Sequence, residues 1–262
     1  MMEYIDVGAN LTHKSLMPDV GALIERARQV GVNQIVVTGT QIEESEKAID
    51  LCHQFPDHLV CTAGIHPHHA CDWDQGSAIR LRQLANDPCV RAIGETGLDF
   101  NRNYSPQDQQ LEAFRQQLEL AASINKPVFA HQRDAHDSFI SILREYRDEL
   151  THIVVHCFTD SRAALLDCLD LDCHIGITGW ICDERRGLEL QQLVKLVPPN
   201  RLMIESDAPY LLPRDIKPKP ASRHNEPAFL PHILQTVAYH QQKPSNQLAL
   251  ECLNTTRLFF NL

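Results

Sequence analysis

A (β/α)8 TIM barrel is the fold this sequence predicts, on three observations. Eight short β-branched runs alternate with longer segments of helical period from one end of the chain to the other. The starts of successive runs lie roughly 21 to 37 residues apart, the length of a strand, a loop, a helix and a return loop. No linker-like or low-complexity stretch interrupts the alternation, so 1–262 is expected to form one domain, at a size where such barrels run as a single unit.

Taken in order, the strand at 4–8 leads into the helical pattern 20–31, 34–38 into 43–55, and 59–64 into 77–86. The run 90–94 precedes 106–125, where Leu111, Phe114, Leu118 and Ala122 mark an apolar stripe at the spacing of helical turns. Then 127–130 leads into 136–149, 153–156 into 160–171, 174–178 into 183–197, and 202–205 is the eighth strand. Two further helical stretches, 227–241 and 246–260, are expected to close the bottom or side of the barrel. The segment 209–227 carries Pro209, Pro213, Pro218, Pro220 and Pro227. It is too stiff for a helix and reads as an ordered loop across the barrel mouth.

Hydrophobic residues make up 43% of the chain and charged residues 22%, which suits a packed core and excludes a disordered or fibrous chain. Lys and Arg number 24 against 34 Asp and Glu, a net charge of −10 that argues against a protein coating duplex nucleic acid through a broad basic surface. The nine cysteines are odd in number and scattered without a C-x-x-C pair, so neither a zinc ribbon nor a disulfide framework is indicated and reduced, mostly buried thiols are expected. No apolar run is long enough to span a membrane, and Met-Met-Glu-Tyr-Ile-Asp does not open a signal peptide. A cytoplasmic monomer with no membrane partner is the expectation.

In a barrel of this kind the chemistry is placed at the carboxyl ends of the strands. Gly64-Ile65-His66-Pro67-His68 follows the third strand, Gly94-Glu95-Thr96-Gly97-Leu98-Asp99-Phe100 the fourth, and Ala130-His131-Gln132-Arg133-Asp134 the fifth; His156-Cys157-Phe158-Thr159 ends the sixth and Glu205-Ser206-Asp207-Ala208-Pro209-Tyr210 the eighth. Imidazoles and carboxylates thus recur at one face. Glu95, His131 and His156 come from successive strands, and a divalent cation needs three or four such groups held by separate rigid elements.

These motifs resemble the TatD family of metal-dependent deoxyribonucleases, barrels of the amidohydrolase type. The resemblance covers nearly the whole chain, including Arg223-His224-Asn225-Glu226-Pro227, which is similar to the family's R-x-N-E-P element, and Ile177-Thr178-Gly179-Trp180 with the Cys182-Asp183-Glu184-Arg185-Arg186-Gly187 that follows. It implies a 3′–5′ exonuclease on single-stranded DNA, with RNA as a second substrate, magnesium as cofactor (manganese or zinc as substitutes) and a role in DNA repair. The start of the chain departs from the family pattern. Most relatives carry D-x-H-x-H, whereas here Asp6-Val7-Gly8-Ala9-Asn10 puts Gly8 and Asn10 where both imidazoles would stand. One firmly held metal at Glu95, His131 and His156 is expected, with a second arriving weakly or with the substrate phosphate.

Asp207 is the candidate for orienting and deprotonating the attacking water, and Glu205, two residues earlier on the same side of the strand, the candidate to support it. His66 and His68 flank Pro67 and either donate hydrogen bonds to the scissile phosphate or only shape the turn. Arg133 either clamps a phosphate or pairs with Asp134. Phe158, Trp180 and Tyr210 either stack on unpaired bases or pack the rim. Arg214, Lys217, Lys219 and Arg223 against Asp215 and Glu226 give the segment 213–226 a local charge of +2, suited to a narrow phosphate track or to a solvated loop. Competing readings are a hydrolase of small C–N or ester substrates, a metal-binding protein without catalysis, and a D-aminoacyl-tRNA deacylase.

Overall fold

The structure, a computed structural model, describes residues 2–262. Its strands are β1 (Tyr4–Ala9), β2 (Val32–Val37), β3 (Leu59–Ala63), β4 (Val90–Asp99), β5 (Val128–Arg133), β6 (Ile153–Val155), β7 (His174–Ile177) and β8 (Leu202–Ile204). They follow one another in chain order in one eight-stranded sheet, every pairing described is parallel, and an Ala9–Ala208 bridge returns the end of β8 to β1. That is the strand order of the (β/α)8 barrel the alternation predicts. The helices are α1 (Val20–Gln29), α2 (Ile42–Gln54), α3 (Ser77–Leu84), α4 (Gln107–Ile124), α5 (His136–Tyr146), α6 (Arg162–Asp170), α7 (Leu188–Leu193), α8 (Leu230–Gln241) and α9 (Ser245–Phe260). None among the described residues is long and apolar enough to cross a membrane.

The chain divides into two compact units. One comprises Met1–Val37, Cys157–Ser161 and Ile175–Leu262, hence β7, β8, β1 and β2 with α1, α7, α8 and α9. In it α9 packs against β1 and β8, burying Leu248, Cys252, Phe259 and Phe260, as expected for a helix that follows the last strand. The other comprises Thr38–His156 and Arg162–His174, hence β3 to β6 with α2 to α6. There the stripe predicted on α4 buries Phe114 and Leu118 against β4, and Phe114 stacks on Phe139 of α5 with ring centroids 5.3 Å apart.

Two elements differ from expectation, each for a local reason. Strand β4 does not stop at residue 94 but continues to Asp99. Gly94, the last residue of the expected run, and Gly97, in the expected loop, have φ of 141° and 139°, and a Cβ on either would overlap a backbone carbonyl of β5, of Phe129 and of His131 respectively. Helix α7 starts at Leu188 rather than at 183 because the Asp183 carboxylate accepts from the backbone N–H groups of Arg185 and Arg186, at 2.9 and 3.1 Å, and holds the preceding residues as a turn. The Pro-rich segment is irregular as expected, and buried Asn225 pins it by donating from Nδ2 to the Ser206 carbonyl at 2.6 Å.

Candidate active site

In the second unit, β4 and β5 pair Gly97 with His131 and Asp99 with Arg133, and the register shifts between Gly94 and Thr96. Glu95 is the residue at that irregularity, where a bulge re-aims a side chain. Its carboxylate is buried, and three imidazoles approach the same oxygen, Oε1: His156 Nε2 at 2.7 Å, His131 Nδ1 at 2.9 Å and His66 Nε2 at 3.2 Å. Burial raises the Glu95 pKa, but the His156 and His66 imidazoles and the hydrogen bonds with His131 and His156 outweigh it, so the group is held well below the ordinary carboxylate range.

The three imidazoles are not equivalent. His66 Nδ1 accepts the backbone N–H of His68 at 3.0 Å, which leaves the proton of a neutral ring on Nε2, and burial drives its pKa down to about 4. His66 is therefore a neutral donor toward Glu95 and has no lone pair at Nε2 to give a cation. His131 Nδ1 and His156 Nε2, in contrast, face each other at 3.3 Å across Glu95 Oε1. With the two carboxylate distances they form a triangle of edges 2.7, 2.9 and 3.3 Å. Neighbouring ligands on a six-coordinate magnesium-sized ion at ~2.1 Å stand about 3.0 Å apart, so the triangle matches one face of such a coordination shell. The other ring nitrogen of His131, Nε2, is buried and faces the Asp99 carboxylate at 3.6 Å. A mixed nitrogen and oxygen donor set at these spacings fits a divalent cation.

Asp99, at the end of β4, orders the neighbouring groups. Its Oδ2 lies 2.7 Å from His68 Nε2, while Oδ1 accepts the N–H groups of Asn101 and Arg102 at 3.0 and 2.8 Å. Burial raises its pKa, yet the bonds with His131, His68 and the Arg102 N–H pull it far below the usual range. Tyr104, 65% exposed, sets its ring edge-on to His68 with centroids 4.7 Å apart. Asp134 accepts from Asn101 Nδ2 at 2.6 Å, and Arg133 makes no ion pair with it among the described residues.

In the first unit three acids, Asp6 on β1 and Glu205 and Asp207 beyond β8, accept hydrogen bonds from amide groups. Asp207 has φ 53°, donates its N–H to the Gly8 carbonyl at 2.8 Å, and receives the Asn10 side-chain amide on Oδ1 at 3.1 Å. The buried Glu205 carboxylate accepts the Cys157 N–H. Asp6 Oδ1 accepts from Ser206 N–H at 2.8 Å and Gly8 N–H at 3.3 Å, while Oδ2 is buried without a partner. Burial raises the Asp6 pKa to about 7 despite those bonds. Tyr210 is 52% exposed beside His13.

The sequence model described as "TatD related DNase" matches residues 5–261. The chain belongs to the TatD family. TatD relatives named "3'-5' ssDNA/RNA exonuclease TatD" include one from Erwinia tasmaniensis, 51% identical over 257 residues, which are 98% of this chain and 99% of the relative. The relative of that name from Edwardsiella piscicida is 50% identical over 258 residues, with the same coverage. Among solved structures, a TatD homologue from Escherichia coli K12 superposes with a TM-score of 0.90 at 26% identity, over 99% of this chain and 98% of that one. An uncharacterised amidohydrolase from Saccharomyces cerevisiae gives 0.89 at 23% identity over 99% and 100%, a likeness of fold.

Of the candidate TatD residues, Glu95, His131 and His156 come together as expected, and His66 joins them. Phe158 is a correction: it is 3% exposed, its backbone N–H is bonded to the Gly176 carbonyl, and it offers no face to a base. Trp180 is partly exposed, but its ring carries the Arg186 guanidinium 4.3 Å from the centroid and its Nε1 donates to the Arg186 carbonyl. Arg214 is neutralised by Glu184 at 3.1 Å and by Asp183 at 3.6 Å, which narrows the basic track to Lys217, Lys219 and Arg223. Asp99, Tyr104 and the amide clamp from Asn10 were not singled out by the sequence. Asp99 sits in a quoted motif and shares a strand face with Glu95 and Gly97, which is the signal that points to it.

Proposed function

We propose that this chain is a metal-dependent 3′–5′ exonuclease acting on single-stranded DNA, and on RNA as a second substrate. The observation that carries the reading is the triangle of Glu95 Oε1, His131 Nδ1 and His156 Nε2, whose edges suit the ligand shell of a small divalent cation. The names of relatives about half identical over their full length supply the substrate class and the direction. Magnesium or manganese is the cation we assign; bound there, it would polarise the phosphodiester and lower the pKa of a coordinated water.

The remaining roles belong to the side chains. His68, on a ring braced by Asp99, donates to the non-bridging oxygens, while His66 spends its Nε2 proton on Glu95 and steadies that carboxylate beside the phosphate. Arg133, without a carboxylate partner, holds a second phosphate. Asp207 takes the proton of the attacking water, its carboxylate oriented by the Asn10 amide. Glu205 serves as a positioning group, because its buried carboxylate is engaged by the Cys157 N–H. Tyr210 and Tyr104 are the exposed rings suited to stacking on unpaired bases, with Trp180 reduced to one open face. A part in the repair of damaged DNA, where frayed single strands must be trimmed, is the cellular role that accords with this chemistry.

The test is digestion of 5′-labelled linear and circular single strands with and without chelator. A ladder shortening from the 3′ end, abolished by chelator and absent on the circle, is the expected result. Cleavage of the circle at the linear rate would overturn exonuclease action, and full activity in chelator would overturn the metal.

A further inference from the structure

The cysteines, scattered in sequence, are not scattered in space. Cys52 on α2, Cys61 on β3 and Cys89, the residue before β4, bring their sulfur atoms within 4.8 Å of one another, and Cys61 and Cys89 stand 3.7 Å apart. The Cys61 and Cys89 backbones are joined by a 2.9 Å hydrogen bond, so two of the thiols are held by paired strands and the third by a helix packed on β3. Cys52 and Cys61 are buried; Cys89 is half-buried. Two sulfurs on a tetrahedral zinc at ~2.3 Å each are about 3.8 Å apart, which is the spacing Cys61 and Cys89 already have.

A second group of donors adjoins the thiols at Cys89. Asp87 accepts the Cys89 N–H on Oδ1 at 3.0 Å and meets His53 Nε2 on Oδ2 at 2.9 Å, and His53, Asp87 and Cys89 again lie within 4.8 Å of one another. We propose that Cys52, Cys61 and Cys89 bind a thiophilic divalent cation, zinc, with the Asp87 carboxylate as fourth ligand and His53 bracing that carboxylate. Lys126, bonded to the Val90 carbonyl, stands close to Cys61, Cys89 and Asp87.

The site sits at the amino-terminal side of β4. Glu95 lies six residues beyond Cys89, roughly 20 Å along an extended strand, so this zinc is remote from the Glu95 cluster and ties α2 to β3 and β4. Its role is structural.

Cobalt(II) is the probe, added to reduced, chelator-treated full-length protein. A sulfur-to-cobalt charge-transfer band saturating at one equivalent, bleached by zinc, is expected; the imidazole and carboxylate cluster at Glu95 has no thiolate to give that band. Changing residues that merely brace a ligand weakens metal sites 10–100-fold, so Cys52→Ser should lower the band intensity by about a third at saturation and weaken zinc by more than about a hundredfold. Should Cys52→Ser fail to fold, Asp87→Asn, which keeps the acceptor for the Cys89 N–H, should weaken zinc about tenfold. Zinc should also raise the melting midpoint of the wild type by roughly 5 °C and that of Cys52→Ser by less. No charge-transfer band in the wild type, or a band of unchanged intensity and affinity in Cys52→Ser, would overturn the proposal.

Discussion

Glu95 and Asp6 are both buried carboxylates on barrel strands, and their surroundings push them in opposite directions. Glu95 is met by three imidazoles and held well below the ordinary carboxylate range, whereas Asp6 is met by backbone N–H groups and Ser206 and is raised to about 7. Buried acids need compensation, and neutral donors supply less of it than groups able to carry positive charge. The Glu95 side is accordingly suited to holding a cation, and the Asp6, Glu205 and Asp207 side to handling protons and positioning backbone.

The largest expected effect tests the first half of that contrast. Glu95→Gln, His131→Ala and His156→Ala should each lower the exonuclease rate by more than ~1000-fold, about 4 kcal/mol in the barrier, with the melting transition kept. In a manganese titration the wild type should show one dominant site, lost in Glu95→Gln. Retention of a tenth of the rate, metal still bound, would remove that residue from the centre.

Next comes the proton side. Asp207→Asn should cost roughly 100-fold or more in kcat with little change in KM, and Asn10→Ala, which removes one hydrogen bond to that carboxylate, about tenfold. Equal losses from the two substitutions would mean that Asn10 does more than orient Asp207. Steady-state kinetics on one oligonucleotide decides it.

Asp6→Asn probes stability rather than rate. Below about pH 4 both folded and unfolded chains keep the Asp6 proton; as pH rises toward about 7 the unfolded chain releases it first, so the wild type loses up to ~4 kcal/mol of stability across that window and no more above it. Asn keeps the Oδ1 acceptor and has no proton to lose. Its melting point should therefore exceed the wild type's above about pH 7 and converge on it near pH 4. Parallel profiles would show that Asp6 ionises normally.

The smallest effect concerns the basic loop. With Arg214 paired to Glu184, the log–log salt slope for single-strand binding should be only about −2, and Arg214→Ala should leave it unchanged while Lys219→Ala reduces it.

Much of this was legible in the residues, and the exceptions share a cause. The eight strands and nine helices among the described residues follow from periodicity, a local property. The convergence of Glu95, His131 and His156 was legible because each ends or adjoins one of the expected strands. What escaped depends on pairs distant in sequence: Asn10 with Asp207, His68 with Asp99, and the three thiols at 52, 61 and 89. The length of β4 escaped for another reason, since Gly94 and Gly97 carry the dihedrals of turns while serving as close-approach points against β5. Phe158 escaped because an aromatic residue at a strand end looks the same in sequence whether its ring turns inward or outward.

The left-handed backbone at Asp207 bears on how this position can vary or be redesigned. At φ 53° glycine, asparagine and aspartate are tolerated readily, while β-branched and bulky side chains add strain of roughly 1–3 kcal/mol. A saturation library there would confound folding with catalysis at nearly every member. Asparagine, which keeps both the shape and the backbone preference, is the one replacement whose phenotype reports chemistry alone.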